Sequence, residues 1–225
     1  MEFCRYTDAG SNETVAIVGD SHAHSAYFGI AKLGLELGYN TVLLGHFMTG
    51  VEHVNKARAK EVSVIFDVLN GKKDIKKVFV SVMWSARLDR LSKKIEDHHG
   101  YLQSWVDKLR AYGKDVYILN DNPMLPKNPA AYVPRPFSSD KRSTFPSVTK
   151  ADVLKNNEYA LEILAKIHNA TIIDVLGPMC PDAACLVFTK EGLPLYRDSN
   201  HLSLVGSEFQ AEHILRPYLS DRKGE

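Results

Sequence analysis

No sign of charge dominates this sequence: 28 lysines and arginines face 27 aspartates and glutamates, for a formal net charge of +1. Without a basic excess there is no global field to gather nucleic acid or an anionic membrane surface. Nor is there an uninterrupted apolar stretch near the roughly 20 residues that a membrane span needs. The N-terminus, MEFCRYTDAG, lacks the charged-then-apolar build of a signal peptide. As written, the chain is expected to be soluble, and Met1 is equally compatible with a piece cut from a longer protein. Cysteine is scarce. Cys4, Cys180 and Cys185 are the three present, and no second cysteine or histidine pair stands at metal spacing, so neither a metal nor a cofactor is expected. Three cysteines cannot pair fully within one chain. The stretch CPDAAC leaves two readings open, a local disulfide in an oxidising compartment or two unrelated thiols. What remains is ordinary globular composition over 225 residues, 44% hydrophobic and 24% charged, enough for one domain, 1–225, with a sizeable core.

After a lead-in of residues 1–13, short apolar runs alternate with longer amphipathic ones. Strands are expected at 14–20, 39–46, 76–84, 114–121 and 170–176. Helices are expected at 25–38, 51–71, 95–113, 151–169 and 202–219, several of them stopped by glycine. Strands alternating with helices imply a parallel sheet covered on both faces. Strands that are nearly all apolar fit that burial. The fold expected is a three-layer α/β/α sandwich of about five parallel strands, with the flavodoxin-like order as the default for this length. The stretch 122–150 breaks the rhythm with six of the ten prolines. It is too long for a routine connection and follows the carboxyl end of the fourth strand, where such sheets carry their ligand crevice. It is read as a loop over a substrate site.

The first strand, VAIV, stops abruptly on Gly19-Asp20-Ser21-His22. A serine in that turn gains the unpaired N–H groups and positive potential of a helix N-terminus, which favour an oxyanion. To lose its proton at neutral pH it also needs a base, and the base needs an orienting partner. Near the other end stands LYRDSNHLSLVGSEF, in which Asp198 and His201 lie three apart just before the last helix. Each piece alone reads equally as capping and turn polarity. The order strand–Ser–helix followed by Asp-x-x-His–helix is what a serine hydrolase of this architecture demands.

On these residues the sequence resembles the SGNH (GDSL-type) hydrolases. GDSH at 19–22 looks like their first block and DSNH at 198–201 like their last. With GDSHAHS, a downstream paired-cysteine segment and LYRDSNHLS, it is most similar to the SGNH domain fused to the C-terminus of acyltransferase-3 membrane proteins. Those proteins O-acetylate bacterial surface polysaccharides such as lipopolysaccharide O-antigen. The resemblance implies Ser21 as nucleophile, His201 as base and acid, and Asp198 as orienting acid. It also implies an acetyl-serine attacked by a sugar hydroxyl, and the Ser21 N–H as one oxyanion donor. It further implies a Cys180–Cys185 disulfide, a periplasmic location, a membrane-embedded partner domain that delivers acetyl groups, and a polysaccharide acceptor.

The middle blocks depart from the family pattern. Where the third block carries Gly-x-Asn-Asp, this chain reads MWSARLDR at 83–90, with no asparagine. The resemblance makes Trp84 and Ser85 candidate oxyanion or substrate residues there, and Gly45 the positional candidate for the second block's glycine. His22 adjoins the nucleophile and is a further candidate for lining the site, as is His46 at the end of the second strand. Asp20 is read as stabilising the turn, His98-His99 as solvated, and Asn120-Asp121-Asn122 as either acceptor-lining or turn-forming. Two other functions carry over: a free-standing carbohydrate or lipid esterase using the same triad, and a non-catalytic carbohydrate-binding module.

Overall fold

The computed structural model describes residues 4–45, 56–91, 97–133 and 145–220. His46 and residues 134–144 of the proline-rich stretch lie outside them. Six strands form one sheet: β1 (Cys4–Thr7), β2 (Thr14–Gly19), β3 (Asn40–Gly45), β4 (Ile75–Ser81), β5 (Asp115–Leu119) and β6 (Thr171–Ile173). Their order is β1-β3-β2-β4-β5-β6. The last five are mutually parallel in the flavodoxin-like arrangement, while β1 runs antiparallel on β3 at the edge. This sixth strand falls inside the stretch expected only to lead in. CRYT has no apolar run to announce it; its first three residues are exposed, and it is a strand because the backbone of β3 offers it a ladder.

The strand residues alternate between two cores. Val15, Ile17, Leu43, Phe79 and Tyr117 face a cluster with α1 (Ser21–Leu37) and the C-terminal helices. Ala16, Val18, Val78, Val80, Val116 and Ile118 face one with α2 (Lys56–Gly71) and α4 (His98–Ala111). That alternation, with both faces covered, gives the three layers. β4 ends at Ser81, short of the residue 84 expected for that strand. Trp84 instead opens a short helix, α3 (Trp84–Leu91). The later helices are α5 (Lys150–Ala165), α6 (Leu176–Met179), α7 (Leu204–Gln210) and α8 (Arg216–Ser220); a π-turn over Ala211–Leu215 joins the last two.

One helix contact fixes the site. A Cβ on Gly29 of α1 would lie 1.9 Å from the Ser207 carbonyl oxygen, so only glycine lets α7 come this close. Ser207 Oγ accepts from the Gly29 N–H at 2.7 Å and donates to the Ala26 carbonyl at 3.0 Å. The loop preceding α7 is thereby held over the start of α1.

Cys180 and Cys185 form a disulfide, and Cys4, on β1, is exposed and stands outside it. The bridged turn pairs with the chain entering α5: Lys150 N–H donates to Ala183 O and Cys185 N–H to Val148 O, both at 2.8 Å. Thiol titration of the denatured, unreduced protein is expected to find one thiol, and three after reduction. Finding three before reduction would reject the bridge. Cys180→Ser with Cys185→Ser is expected to cost roughly 2 kcal/mol for so short a loop.

Candidate active site

Ser21 begins α1 where β2 ends. The turn is tight because Gly19, at φ +150°, lies against β4: a Cβ there would meet Ser81 O at 1.8 Å. Asp20 then caps the helix. Its Oδ1 accepts from the His22 N–H at 2.9 Å. Its Oδ2 accepts from the Met83 N–H at 3.3 Å and from Arg87 Nε at 3.2 Å. The Ser21 turn is thus bound to the segment after β4, and Arg87 is a site neighbour that nothing in MWSARLDR announces.

From the other side come Asp198 and His201, on a loop closed by Arg197 N–H to His201 O and Ser203 N–H to Leu195 O, each 3.0 Å. Asp198 Oδ1 accepts from the backbone N–H groups of Asn200 and His201 at 3.0 and 2.9 Å. His201 Nδ1 lies 2.8 Å from Asp198 Oδ2, and His201 Nε2 lies 2.7 Å from Ser21 Oγ. Residues 180 apart in sequence therefore form one hydrogen-bonded line, acid to imidazole to hydroxyl. Partial burial of Asp198 raises its pKa, but the donors of Asn200 and His201 more than offset it, leaving the carboxyl below its ordinary value. An ionised Asp198 selects the Nδ1–H tautomer and leaves Nε2 as the acceptor that faces Ser21.

The other candidates separate. Gly45 pairs in register with Gly19 and so stands at the same sheet edge as Ser21. Trp84 and Ser85 are bound into the fold. Trp84 is fully buried, with its indole N–H on Leu119 O at 2.7 Å and its backbone N–H on Asp121 Oδ1 at 2.6 Å. The Ser85 N–H goes to Asp121 Oδ2 at 2.8 Å. Asp121 thus caps α3, consuming both N–H groups. Burial pushes its carboxyl up to about 6 against the pull of Ser85 and Trp84. Asn120 is likewise committed, holding the Val175 N–H at 2.7 Å and Asp174 at 3.0 Å. Asn122 accepts from buried Gln210 at 2.9 Å. The Asn-Asp-Asn run braces the sheet's carboxyl edge.

His22 is buried, 2% exposed. Its ring packs against that of His201, with centroids 5.2 Å apart. Burial lowers its pKa to about 4, with Asp20 pulling the other way and His201 adding to the fall. A histidine whose folded pKa is depressed contributes stability in full above its unfolded value near 6.5, and loses it as pH falls toward 4. His22→Phe is therefore expected to remove part of the acid destabilisation. In urea unfolding at pH 7.5 and pH 5, the variant should lose less stability between the two than the parent does.

What is known of the proline-rich stretch also touches this loop: the Leu125 N–H donates to Ser199 O at 2.7 Å. Among the described residues no group of three metal-ligating side chains comes together, and no helix is long and apolar enough to cross a membrane.

With this geometry in view, residues 1–216 match the family model described as the SGNH domain fused to AT3 domains. The chain belongs to that family. Among solved structures, this SGNH domain is similar to the periplasmic domain of a lipopolysaccharide acetyltransferase from Salmonella ser. Paratyphi A, with a TM-score of 0.67 and 16% identity over 91% of this chain and 82% of that one. It is also similar to a protein from Streptococcus pneumonia provisionally named a platelet activating factor, with a TM-score of 0.52 and 15% identity over 92% and 84%. At such identities the likeness is one of fold. Comparison with curated protein sequences gives no match.

Proposed function

We propose that this SGNH domain moves an acetyl group through an acyl-Ser21 intermediate to a hydroxyl of a bacterial surface polysaccharide, such as lipopolysaccharide O-antigen. The observation that carries the reading is the unbroken line from Asp198 through His201 to Ser21 Oγ at 2.8 and 2.7 Å. In the first half-reaction Ser21 Oγ attacks the acetyl carbonyl carbon while His201 Nε2 takes its proton. The carbonyl electron pair moves to oxygen, then returns as the donor's alkoxide leaves with that proton. In the second half the acceptor hydroxyl gives its proton to His201 and its oxygen attacks the acetyl carbon; the bond to Ser21 Oγ breaks, and His201 returns the proton to Ser21 Oγ. Gly45 is offered as a second backbone donor to the oxyanion, beside Ser21.

The fusion named by the family model supports a membrane-embedded acyltransferase domain as the acetyl source. The Salmonella neighbour, a periplasmic domain of a lipopolysaccharide acetyltransferase, supports an extracytoplasmic site. We take residues 1–225 as one domain, with Leu125 of the proline-rich stretch held against the histidine loop.

The test incubates the domain with an acetyl ester donor and surface polysaccharide fractions of the source bacterium, and looks for acetylated sugar by mass spectrometry. Transfer to glycan supports the proposal. Release of free acetate alone, at a rate no glycan changes, would make the domain an esterase.

A further inference from the structure

An acyl transfer of this kind needs donors aimed at the oxyanion, and the segment that supplies one in related sequences, the third-block asparagine, has none here. Nor can the main chain after β4 take over. The Met83 N–H is bound to Asp20, those of Trp84 and Ser85 to Asp121, and the Trp84 indole to Leu119. These four N–H groups are committed within the fold, and the Ser85 side chain is hydrogen-bonded to Asp121 as well.

Asn200 lies between the acid and the base of the triad. Its backbone N–H is fixed on Asp198 Oδ1 at 3.0 Å, which leaves the side-chain amide as its adaptable donor. That amide Nδ2 points at Met83 Sδ, 3.6 Å away. A thioether sulfur is a weak acceptor, so turning an N–H from it toward a charged oxygen loses little and gains a charge-assisted bond. The placement is also right. The next residue, His201, reaches Ser21 Oγ, and the backbone of Met83 holds Asp20, the residue before the nucleophile. The amide of Asn200 therefore bridges from the histidine loop to Met83, just past the end of β4, in the segment that stands in the third block's place.

Resting on the acyl-serine reading above, we infer that the side-chain amide of Asn200 is the oxyanion donor that replaces the absent third-block asparagine. The oxyanion formed when the carbonyl electron pair moves to oxygen would accept from Asn200 Nδ2 and from the Ser21 N–H. Both bonds weaken when the pair returns and the alkoxide leaves.

The test is steady-state hydrolysis of p-nitrophenyl acetate by three proteins: the parent, Asn200→Ala and Met83→Leu. Asn200→Ala is expected to lower kcat about 10²–10³-fold with KM little changed, the usual cost of one oxyanion donor. Its affinity for a trifluoromethyl ketone, which adds to the serine as an oxyanion, should fall by the same factor as kcat/KM. The pH profile should keep its shape, because the His201–Asp198 pair is untouched. Met83→Leu removes the thioether contact alone and should stay within a few-fold of the parent. Full activity in Asn200→Ala, an equal loss in Met83→Leu, or a loss of rate without loss of inhibitor affinity would each overturn the inference. Should the parent itself fail to turn over the ester, or Ser21→Ala retain activity, the acyl-serine reading falls instead.

Discussion

Ser21→Ala is expected to reduce turnover of a small acetyl ester by roughly 10⁴-fold or more, with little change in KM. The hydroxyl has no stand-in, since the imidazole that lies 2.7 Å from it is itself held on the other side by Asp198. His201→Ala should lose about as much, and the double variant hardly more, because the pair acts as a unit. Asp198→Ala should lose somewhat less: it frees the tautomer but leaves nucleophile and base in place. Initial rates with p-nitrophenyl acetate, on proteins shown to be folded by circular dichroism, decide this. Substantial activity in Ser21→Ala, or plainly additive losses in the double variant, would contradict a triad.

Gly19→Ala should be severely damaging. The new Cβ would stand 1.8 Å from Ser81 O, 2.8 Å from Ser81 C and 2.9 Å from Ala23 Cβ, on a residue at φ +150°. None of these neighbours is the tip of a flexible side chain. Relief requires β2 and β4 to part where they pair Gly19 with Ser81, and the Ser21 turn moves with them. The expected cost is roughly 3–5 kcal/mol, within reach of the whole stability of a domain. Gly113→Ala is the control. It also sits at positive φ, +75°, but an added Cβ there meets nothing within 4 Å, so only the backbone preference is lost, about 1 kcal/mol. Urea unfolding of the two variants should separate them widely, and similar midpoints would mean that the close approach at Gly19 is not rigid.

The architecture was legible because it rests on patterns that sequence carries: apolar runs for β2 to β6, amphipathic stretches for the helices, and a glycine stop at Gly38, which takes a left-handed φ of +76° at the end of α1. The two end blocks were equally legible, since Ser21, Asp198 and His201 are reactive types in an order that an α/β sheet brings to one edge. What could not be read were commitments made across the fold. CRYT shows no strand periodicity; β3 makes it one. MWSARLDR gives no sign that its N–H groups are taken, because their acceptor, Asp121, is 36 or 37 residues away. His98 looks like a surface residue of a polar helix, yet it is buried with Nδ1 2.7 Å from the Tyr159 hydroxyl. His22, beside Ser21 in sequence, is buried against the ring of His201. Asn200 draws no notice inside DSNH until its amide is seen lying against Met83.

The account depends most on a covalent acetyl group on Ser21. Rapid mixing of the protein with an acetyl ester, acid quenching and peptide mass spectrometry test it directly. The account predicts acetylation confined to the peptide bearing Ser21, appearing before steady state and absent from Ser21→Ala. Turnover without that adduct, or acetyl groups found on other residues while Ser21 stays free, would contradict it.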